Sequence, residues 1–243
     1  MVIASLQNEK IKALKKLMSD KSLVFFDNPK LIEEAFNAGH KILYVIKKEG
    51  LPYKTDYGGE VVEVTPNVFS LFAETEHSQG VVGVVRFEQK RLASPKGCFL
   101  VLDGLQDPGN VGTLIRSALG ANFLDIYLLD SVKANNSKVV RSSMGAIFKT
   151  NIYQTTRQEF LKIFPSWNKQ LLSCNMVGEN IFDLEVTDCV GVVVGNEGNG
   201  LSEEIKNLSN KIVKIPMQNG LESLNAGVSG SLVMYQISAK LMK

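Results

Sequence analysis

Two textures of hydrophobic patterning divide the chain. Residues 8–20 read as an amphipathic helix, with Ile11, Leu14, Leu17 and Met18 on one side and Lys10, Lys12, Lys15 and Lys16 around the other. The lysine face suits solvent, or a phosphate contact that carries no sequence preference. An apolar run at 23–26 precedes a short, well-punctuated helix. Asn28 stands as its cap, Pro29 in the first turn, Glu33 and Glu34 near the positive end and Gly39 after the last turn. Residues 43–46, 61–64 and 81–87 read as strands, the first and last rich in branched side chains. This first part is a small α/β domain.

The connector Lys90-Arg91-Leu92-Ala93-Ser94-Pro95-Lys96-Gly97 then changes the texture, which predicts a domain boundary near Leu92 and domains at 1–92 and 93–243. Beyond it the strands become near-continuous apolar runs, at 99–102, 126–129, 171–174, 190–194 and 212–215. Helical patterns separate most of them. Apolar runs without alternation need cover on both faces, so the expected fold is α/β with a parallel sheet.

Three polar loops follow three of these runs. The first is Asp103-Gly104-Leu105-Gln106-Asp107-Pro108-Gly109-Asn110. It leads into a helix whose buried stripe is Val111, Leu114, Ile115, Ala118 and Leu119, with Asn110 as expected N-cap and Gly120 as stop. Arg116 falls away from the stripe and faces either solvent or a ligand. The second loop, Gly195-Asn196-Glu197-Gly198-Asn199-Gly200, allows close backbone approach but matches neither dinucleotide nor triphosphate fingerprints. Ser202 then caps a helix that starts with Glu203 and Glu204, carboxylates that repel phosphate. The third, Ile215-Pro216-Met217-Gln218-Asn219-Gly220-Leu221-Glu222-Ser223-Leu224-Asn225, leaves a strand at 211–215 and ends with Asn225 at a helix N-cap. The carboxyl ends of parallel strands are where such sheets build sites.

Composition narrows the chemistry. At 243 residues, 44% hydrophobic and 21% charged, the chain can bury one large core or two smaller ones. A net charge of +2 gives no global argument for nucleic acid, so any RNA surface is local. No apolar run reaches the roughly 18 residues of a membrane span and the first twelve residues are polar, which predicts a cytoplasmic protein. Cys98, Cys174 and Cys189 are expected as reduced core residues. His40 and His77 are the only histidines, and neither is near the polar loops, which disfavours a Ser-His-Asp hydrolase or a His-ligated metal centre.

Together the three loops resemble the signature motifs of the SpoU/TrmH family of RNA 2′-O-ribose methyltransferases, within the SPOUT class. The first motif runs from Leu102 through Asp103, Asn110 and Arg116, and continues as Lys138-Val139-Val140-Arg141-Ser142-Ser143-Met144-Gly145-Ala146. The second is Gly195-Asn196-Glu197-Gly198-Asn199-Gly200-Leu201, and the third joins Ile215-Pro216-Met217 to Glu222-Ser223-Leu224-Asn225.

The resemblance implies a C-terminal SPOUT domain with a deep trefoil knot, preceded by an L30e-like RNA-recruiting domain. It also implies S-adenosylmethionine as cofactor and a homodimer with the site near the subunit interface. The substrate would be RNA, with ribosomal RNA favoured over transfer RNA, and neither metal nor membrane would be involved. The catalytic positions carried over are Arg116, Asn110, Glu197, Ser223 and Asn225; the cofactor positions are Gly195, Asn196, Gly198, Ile215, Met217 and Leu224. Two departures stand out: Phe26-Asp27-Asn28-Pro29-Lys30 lacks a Glu-Gly pair frequent in relatives, and Ala226-Gly227-Val228-Ser229-Gly230 is unusually Gly-rich. Other readings are a transfer-RNA methyltransferase, a non-catalytic RNA-binding or ribosome-assembly factor on the same fold, and a nucleotide-dependent enzyme using the 195–200 loop.

Overall fold

The computed structural model describes residues 2–53, 56–73, 78–88 and 90–242, so His77 lies outside the described residues. Two compact units emerge: Met1–Glu88 with Asn135–Arg141, and Gln89–Ala134 with Ser142–Lys243.

The first unit contains α1 (Glu9–Leu17), β1 (Leu23–Phe26), α2 (Pro29–Asn37), β2 (Ile42–Lys48), β3 (Glu60–Val64), α3 (Pro66–Phe69) and β4 (Val81–Arg86). Asn8 caps α1 by accepting from the Lys10 amide, and Glu9 at one end with Lys15 and Lys16 at the other complement the helix dipole. Ile11 and Leu14 are buried, but the helix stops at Leu17 and leaves Met18 exposed, shorter than expected. Lys10 pairs with Glu60 at 2.5 Å and lies over the Tyr44 ring, so that lysine is not simply solvated. In α2 the Asn28 cap holds, whereas Glu33 and Glu34 fall beyond the first turn. The sheet order is β1-β4-β2-β3, with β2 and β3 parallel and β4 antiparallel to both neighbours. A Cβ on Gly83 would lie 2.6 Å from Ile32 and 2.9 Å from Phe26, so this glycine lets α2 approach β4.

The second unit is built from β5 (Phe99–Asp103), α4 (Pro108–Gly120), β6 (Asp125–Leu129), β7 (Asn151–Thr155), α6 (Arg157–Ile163), β8 (Leu171–Asn180), β9 (Gly191–Gly195), α7 (Glu203–Leu208), β10 (Lys211–Lys214) and α8 (Ala226–Leu241). Between β6 and β7 comes α5 (Ser137–Ser142), most of which belongs to the first unit. The sheet is six-stranded, ordered β10-β8-β9-β5-β6-β7, and every pairing in it is parallel. β7 escapes the apolar-run pattern because it is an edge strand with half-buried Asn151, Gln154 and Thr155. β8 runs six residues past its apolar start, into exposed Met176 and Val177.

Alternation along the strands builds two cores. Phe99, Val101, Tyr127, Leu129, Tyr153, Leu171 and Val193 pack on one face with Phe160 and Phe164. The other face is covered by α4 and α8, which meet along a seam of small residues. Ser231 Oγ donates to Ser117 Oγ at 2.7 Å, and a Cβ on Gly120 would lie 2.3 Å from the Tyr235 hydroxyl. The helix ends at Gly120 as expected, and the glycine also allows close packing there. The same reason accounts for the Gly-rich start of α8: a Cβ on Gly230 would meet Leu114 at 2.5 Å and Val194 at 2.7 Å.

All three cysteines are free, with Cys98 buried and the other two half-buried. Burial pushes the Cys98 and Cys174 thiols up to about 12, helped for Cys98 by the neighbouring Cys189 thiol. Burial also raises the Tyr127 and Tyr153 phenols, with Asp125 adding to both. Each group is neutral in its protonated form and its folded value lies above the unfolded one. Its stabilisation is complete below the unfolded value and is lost as pH climbs towards the folded one. Denaturant midpoints should therefore stay flat from pH 7 to about 8.5 and fall between about 9 and 12. A flat profile to pH 11 in urea titrations would contradict this.

Candidate methyl-transfer site

Parallel register aligns the strand ends that matter. Asp103 pairs with Gly195 across β5 and β9, so the loops after these strands leave the sheet side by side, and β10 delivers its loop to the same edge. The loops after β9 and β10, the extended end of β8 and the start of α8 enclose a cleft of about 690 Å³.

Nine of the eleven predicted site residues line it: Gly195, Asn196, Glu197, Gly198, Ile215, Met217, Ser223, Leu224 and Asn225. Its deeper wall adds Val194, Val213 and Val233, and Glu222 stands with Glu197 among the acidic groups. Cys174, Asn175 and Met176 also line it. They were missed because the apolar run of β8 ends at Cys174 and nothing local marks the strand's continuation.

The 195–200 loop is closed on itself. Asn196 and Gly200 exchange backbone hydrogen bonds of 3.0 and 2.9 Å, and Asn196 Oδ1 accepts from the Gly198 and Asn199 amides. Asn196 Nδ2 donates to the Gly104 carbonyl at 2.8 Å, which fastens the loop to the end of β5. A Cβ on Gly195 would lie 2.6–2.7 Å from Gly200 and Leu201 backbone atoms. Only glycine allows so tight a return.

Asn110 is not the N-cap of its helix. Asp107 is: its Oδ1 accepts from the Asn110 amide at 2.7 Å, and Pro108 takes the first helical position, where a missing N–H is harmless. Asn110 lies in the first turn with its side chain released for other work. Its Nδ2 donates to Glu197 Oε1 at 2.9 Å, and its Oδ1 accepts from Asn225 Nδ2 at 2.9 Å. Asn225 does cap α8, through Oδ1 accepting from the Val228 amide at 3.2 Å.

These bonds fix one another's direction. A backbone N–H only donates, so Asn225 must present oxygen to it and its amide nitrogen to Asn110; Asn110 must then present its own nitrogen onward, and only an acceptor such as the Glu197 carboxylate can end the chain. Gly227 makes room for the junction, since a Cβ there would lie 3.3 Å from Asn110 Oδ1.

Ser223 lines the cleft and is exposed, and Asn225 does the helix capping without it. Arg116 is exposed on α4 and does not line the cleft. The continuation of the first motif is tied back to the start of α4 by Ser142 Oγ, which donates to the Pro108 carbonyl at 3.0 Å. Ser202 stands at the N-cap position of α7 without a side-chain cap bond; its amide and hydroxyl both donate to Asp103 instead. Among the described residues no group of His, Cys, Asp and Glu is arranged to hold a metal ion, and no helix is long and apolar enough to cross a membrane.

Known proteins resemble this chain both in sequence and in fold. Residues 97–235 match the model of the SpoU rRNA Methylase family. Over nearly its whole length the chain is 25% identical to the 23S rRNA (guanosine(2553)-2′-O)-methyltransferase RlmP of Bacillus subtilis, covering 97% of this chain and 98% of that one. In three dimensions it resembles an AdoMet-bound rRNA methyltransferase from Sinorhizobium meliloti, with a TM-score of 0.87 at 24% identity over 100% of this chain and 99% of the other. It also resembles the SpoU methyltransferase AviRb from Streptomyces viridochromogenes in complex with AdoMet, with a TM-score of 0.83 at 20% identity over 97% and 99% of the two chains. These likenesses show that the fold is shared over the full length of the chain. With more than half of its residues inside the family model, the chain belongs to the SpoU rRNA Methylase family.

Proposed function

We infer that the protein is an S-adenosylmethionine-dependent RNA methyltransferase that acts on a ribose 2′-hydroxyl. The observation that carries this is that the 195–200 and 215–225 loops line one cleft and that the first motif is tied to both by the directed chain Asn225–Asn110–Glu197. The cleft suits the cofactor's chemistry: an apolar inner wall for the adenine, closely approaching backbone at the 195–200 loop, and the carboxylates Glu197 and Glu222 for a cationic ligand. Gly195, Asn196, Gly198, Ile215, Met217 and Leu224 would hold it. When bound, it supplies a methyl group on a sulfonium, a good leaving group that needs neither metal nor covalent protein intermediate.

The chain's task is then to orient and to manage charge. Glu197, held by the Asn110 amide through one oxygen, keeps the other for the proton of the attacking hydroxyl. Asn225 and Ser223 border the position of the ribose. Arg116, whose guanidinium offers five donors and no acceptor, stabilises the developing oxyanion and clamps a phosphate rather than acting as base. In a homodimer with the site near the subunit interface, that arginine need not come from the protomer whose cleft it serves. The apolar face Val228, Leu232 and Tyr235 on α8, each 46–51% exposed, supports such a dimer.

The first unit is read as the L30e-like module that recruits RNA, and the near-complete length match to RlmP favours ribosomal over transfer RNA. RNA is preferred to DNA because the acceptor is the hydroxyl DNA lacks. The deep trefoil knot and a cytoplasmic location belong to the same reading.

The test is methyl transfer from labelled S-adenosylmethionine to transcribed ribosomal RNA fragments, with transfer RNA and 2′-deoxy-substituted fragments as further arms. Label on ribosomal RNA that disappears when the target ribose lacks its 2′-hydroxyl is expected. Absence of cofactor binding at millimolar concentration would favour the non-catalytic alternative.

A further inference from the structure

The carboxylate of Asp103 lies outside the set of site residues, yet both its oxygens are committed at the carboxyl end of the sheet. Its side chain is 0% exposed. Oδ1 accepts from Arg157 Nε at 2.7 Å, and Oδ2 accepts from both the amide and the hydroxyl of Ser202, each at 2.9 Å. An acid this deep is tolerated only with full hydrogen bonding and a cation, and here both are met.

What these bonds join is specific. Ser202 closes the stretch that begins at Gly195, whose other end is fastened one residue along β5 by the Asn196 bond to the Gly104 carbonyl. The loop that carries Glu197 is thus pinned at both ends to consecutive residues, Asp103 and Gly104. Arg157, 31% exposed, is fixed by the same carboxylate, and its own amide donates to Asp130 Oδ2 at 3.0 Å. The pair is therefore anchored from β5 and from Asp130, the residue after β6.

We propose that Asp103 is a positioning residue for the methyl-transfer site: its buried carboxylate, paired with Arg157, locks the 196–202 loop through Ser202 and so sets both the cofactor cradle and the carboxylate of Glu197. This rests on the methyltransferase reading. Replacing a contact between Ser202 and a neutral oxygen would not serve equally, because three N–H and O–H donors converge on the two oxygens of one side chain. In Asp103→Asn one oxygen becomes an amide nitrogen that faces a donor whichever way it is turned.

The experiment compares wild type, Asp103→Asn and Ser202→Ala by amide hydrogen exchange of the cofactor-free protein and by calorimetric titration with S-adenosylmethionine. For Asp103→Asn, exchange within 196–202 should rise at least about tenfold while the first unit is unchanged, and the dissociation constant should rise by at least about tenfold. Ser202→Ala keeps the backbone donor and the buried acid, so it should fold normally and show about fivefold effects in both measurements. Steady-state kinetics should show KM for the cofactor rising more than kcat falls, whereas a merely structural role would lower the active fraction and leave KM alone.

Unchanged exchange in 196–202 for folded Asp103→Asn, or for Ser202→Ala if the first variant does not fold, overturns the proposal. So does raised exchange with unaltered cofactor affinity. Failure of wild type to bind S-adenosylmethionine defeats the functional reading instead, and the exchange result, which needs no cofactor, still decides whether Asp103 holds the loop.

Discussion

Arg116→Lys is expected to lose methyl transfer by about 100-fold or more in kcat, with the cofactor dissociation constant within about twofold of wild type. The charge survives this substitution, so a purely electrostatic steering role would leave most activity. What is lost is the planar fork that can engage a phosphate and a developing oxyanion together. The second half of the expectation comes from placement: Arg116 is exposed on α4 and forms no part of the cleft wall. Single-turnover rates with saturating RNA, beside calorimetry with S-adenosylmethionine, measure the two halves separately. Near-normal turnover in the lysine variant would sink the fork argument, and a large loss of cofactor affinity would move Arg116 into the cradle.

Gly195→Ala should do the reverse, weakening cofactor binding by tenfold or more while the fold persists. The added methyl would sit 2.6–2.7 Å from Gly200 carbonyl atoms and 2.7 Å from the Leu201 nitrogen. These are backbone atoms of the same closed loop, so no side chain can swing aside to relieve the overlap. Overpacking of this kind costs about 1–3 kcal/mol, and here the strain must be released by opening the loop, which is the cradle itself. The six-stranded sheet beneath is formed by other contacts and should survive. Far-ultraviolet circular dichroism and thermal melts check the fold, calorimetry the affinity. Wild-type affinity in a folded Gly195→Ala protein would mean that the loop does not shape the cofactor site.

The two substitutions divide the proposed site into a cradle made of backbone and a reacting edge made of side chains. The side-chain edge is also the part most dependent on long-range pairing. Asn110 and Asn225 are separated by 115 residues, and Asn110 and Glu197 by 87.

Much of this was readable along the chain because its causes are local. Continuous apolar runs require a sheet covered on both faces, and the runs at 99–102, 126–129, 171–174, 190–194 and 212–215 became five of the six parallel strands. Glycines, a helix-starting Asn225 and short polar residues after those runs located the loops, since turn and cap chemistry act within a few residues. Family motifs then added what periodicity could not, the grouping of three loops into one site.

Other features were settled only by tertiary structure. Asn110 reads as a cap in sequence because any Asn before an apolar stripe does; the presence of Asp107 and Pro108 moved the start of α4 forward by one turn and freed the Asn110 amide for Glu197 and Asn225. β7 has too few apolar positions to declare itself, and its place comes from pairing with β6. Asp103 looks like a loop residue after an apolar strand, and its burial beneath Ser202 and Arg157 arises only when β9 and α6 are laid beside β5. The sequence by itself determined the elements, the sheet type and the loops that bear chemistry, because these follow from spacing and local propensity. Which polar group meets which across about a hundred residues was decided by strand order and register, whose energies belong to the assembled sheet and to no single segment.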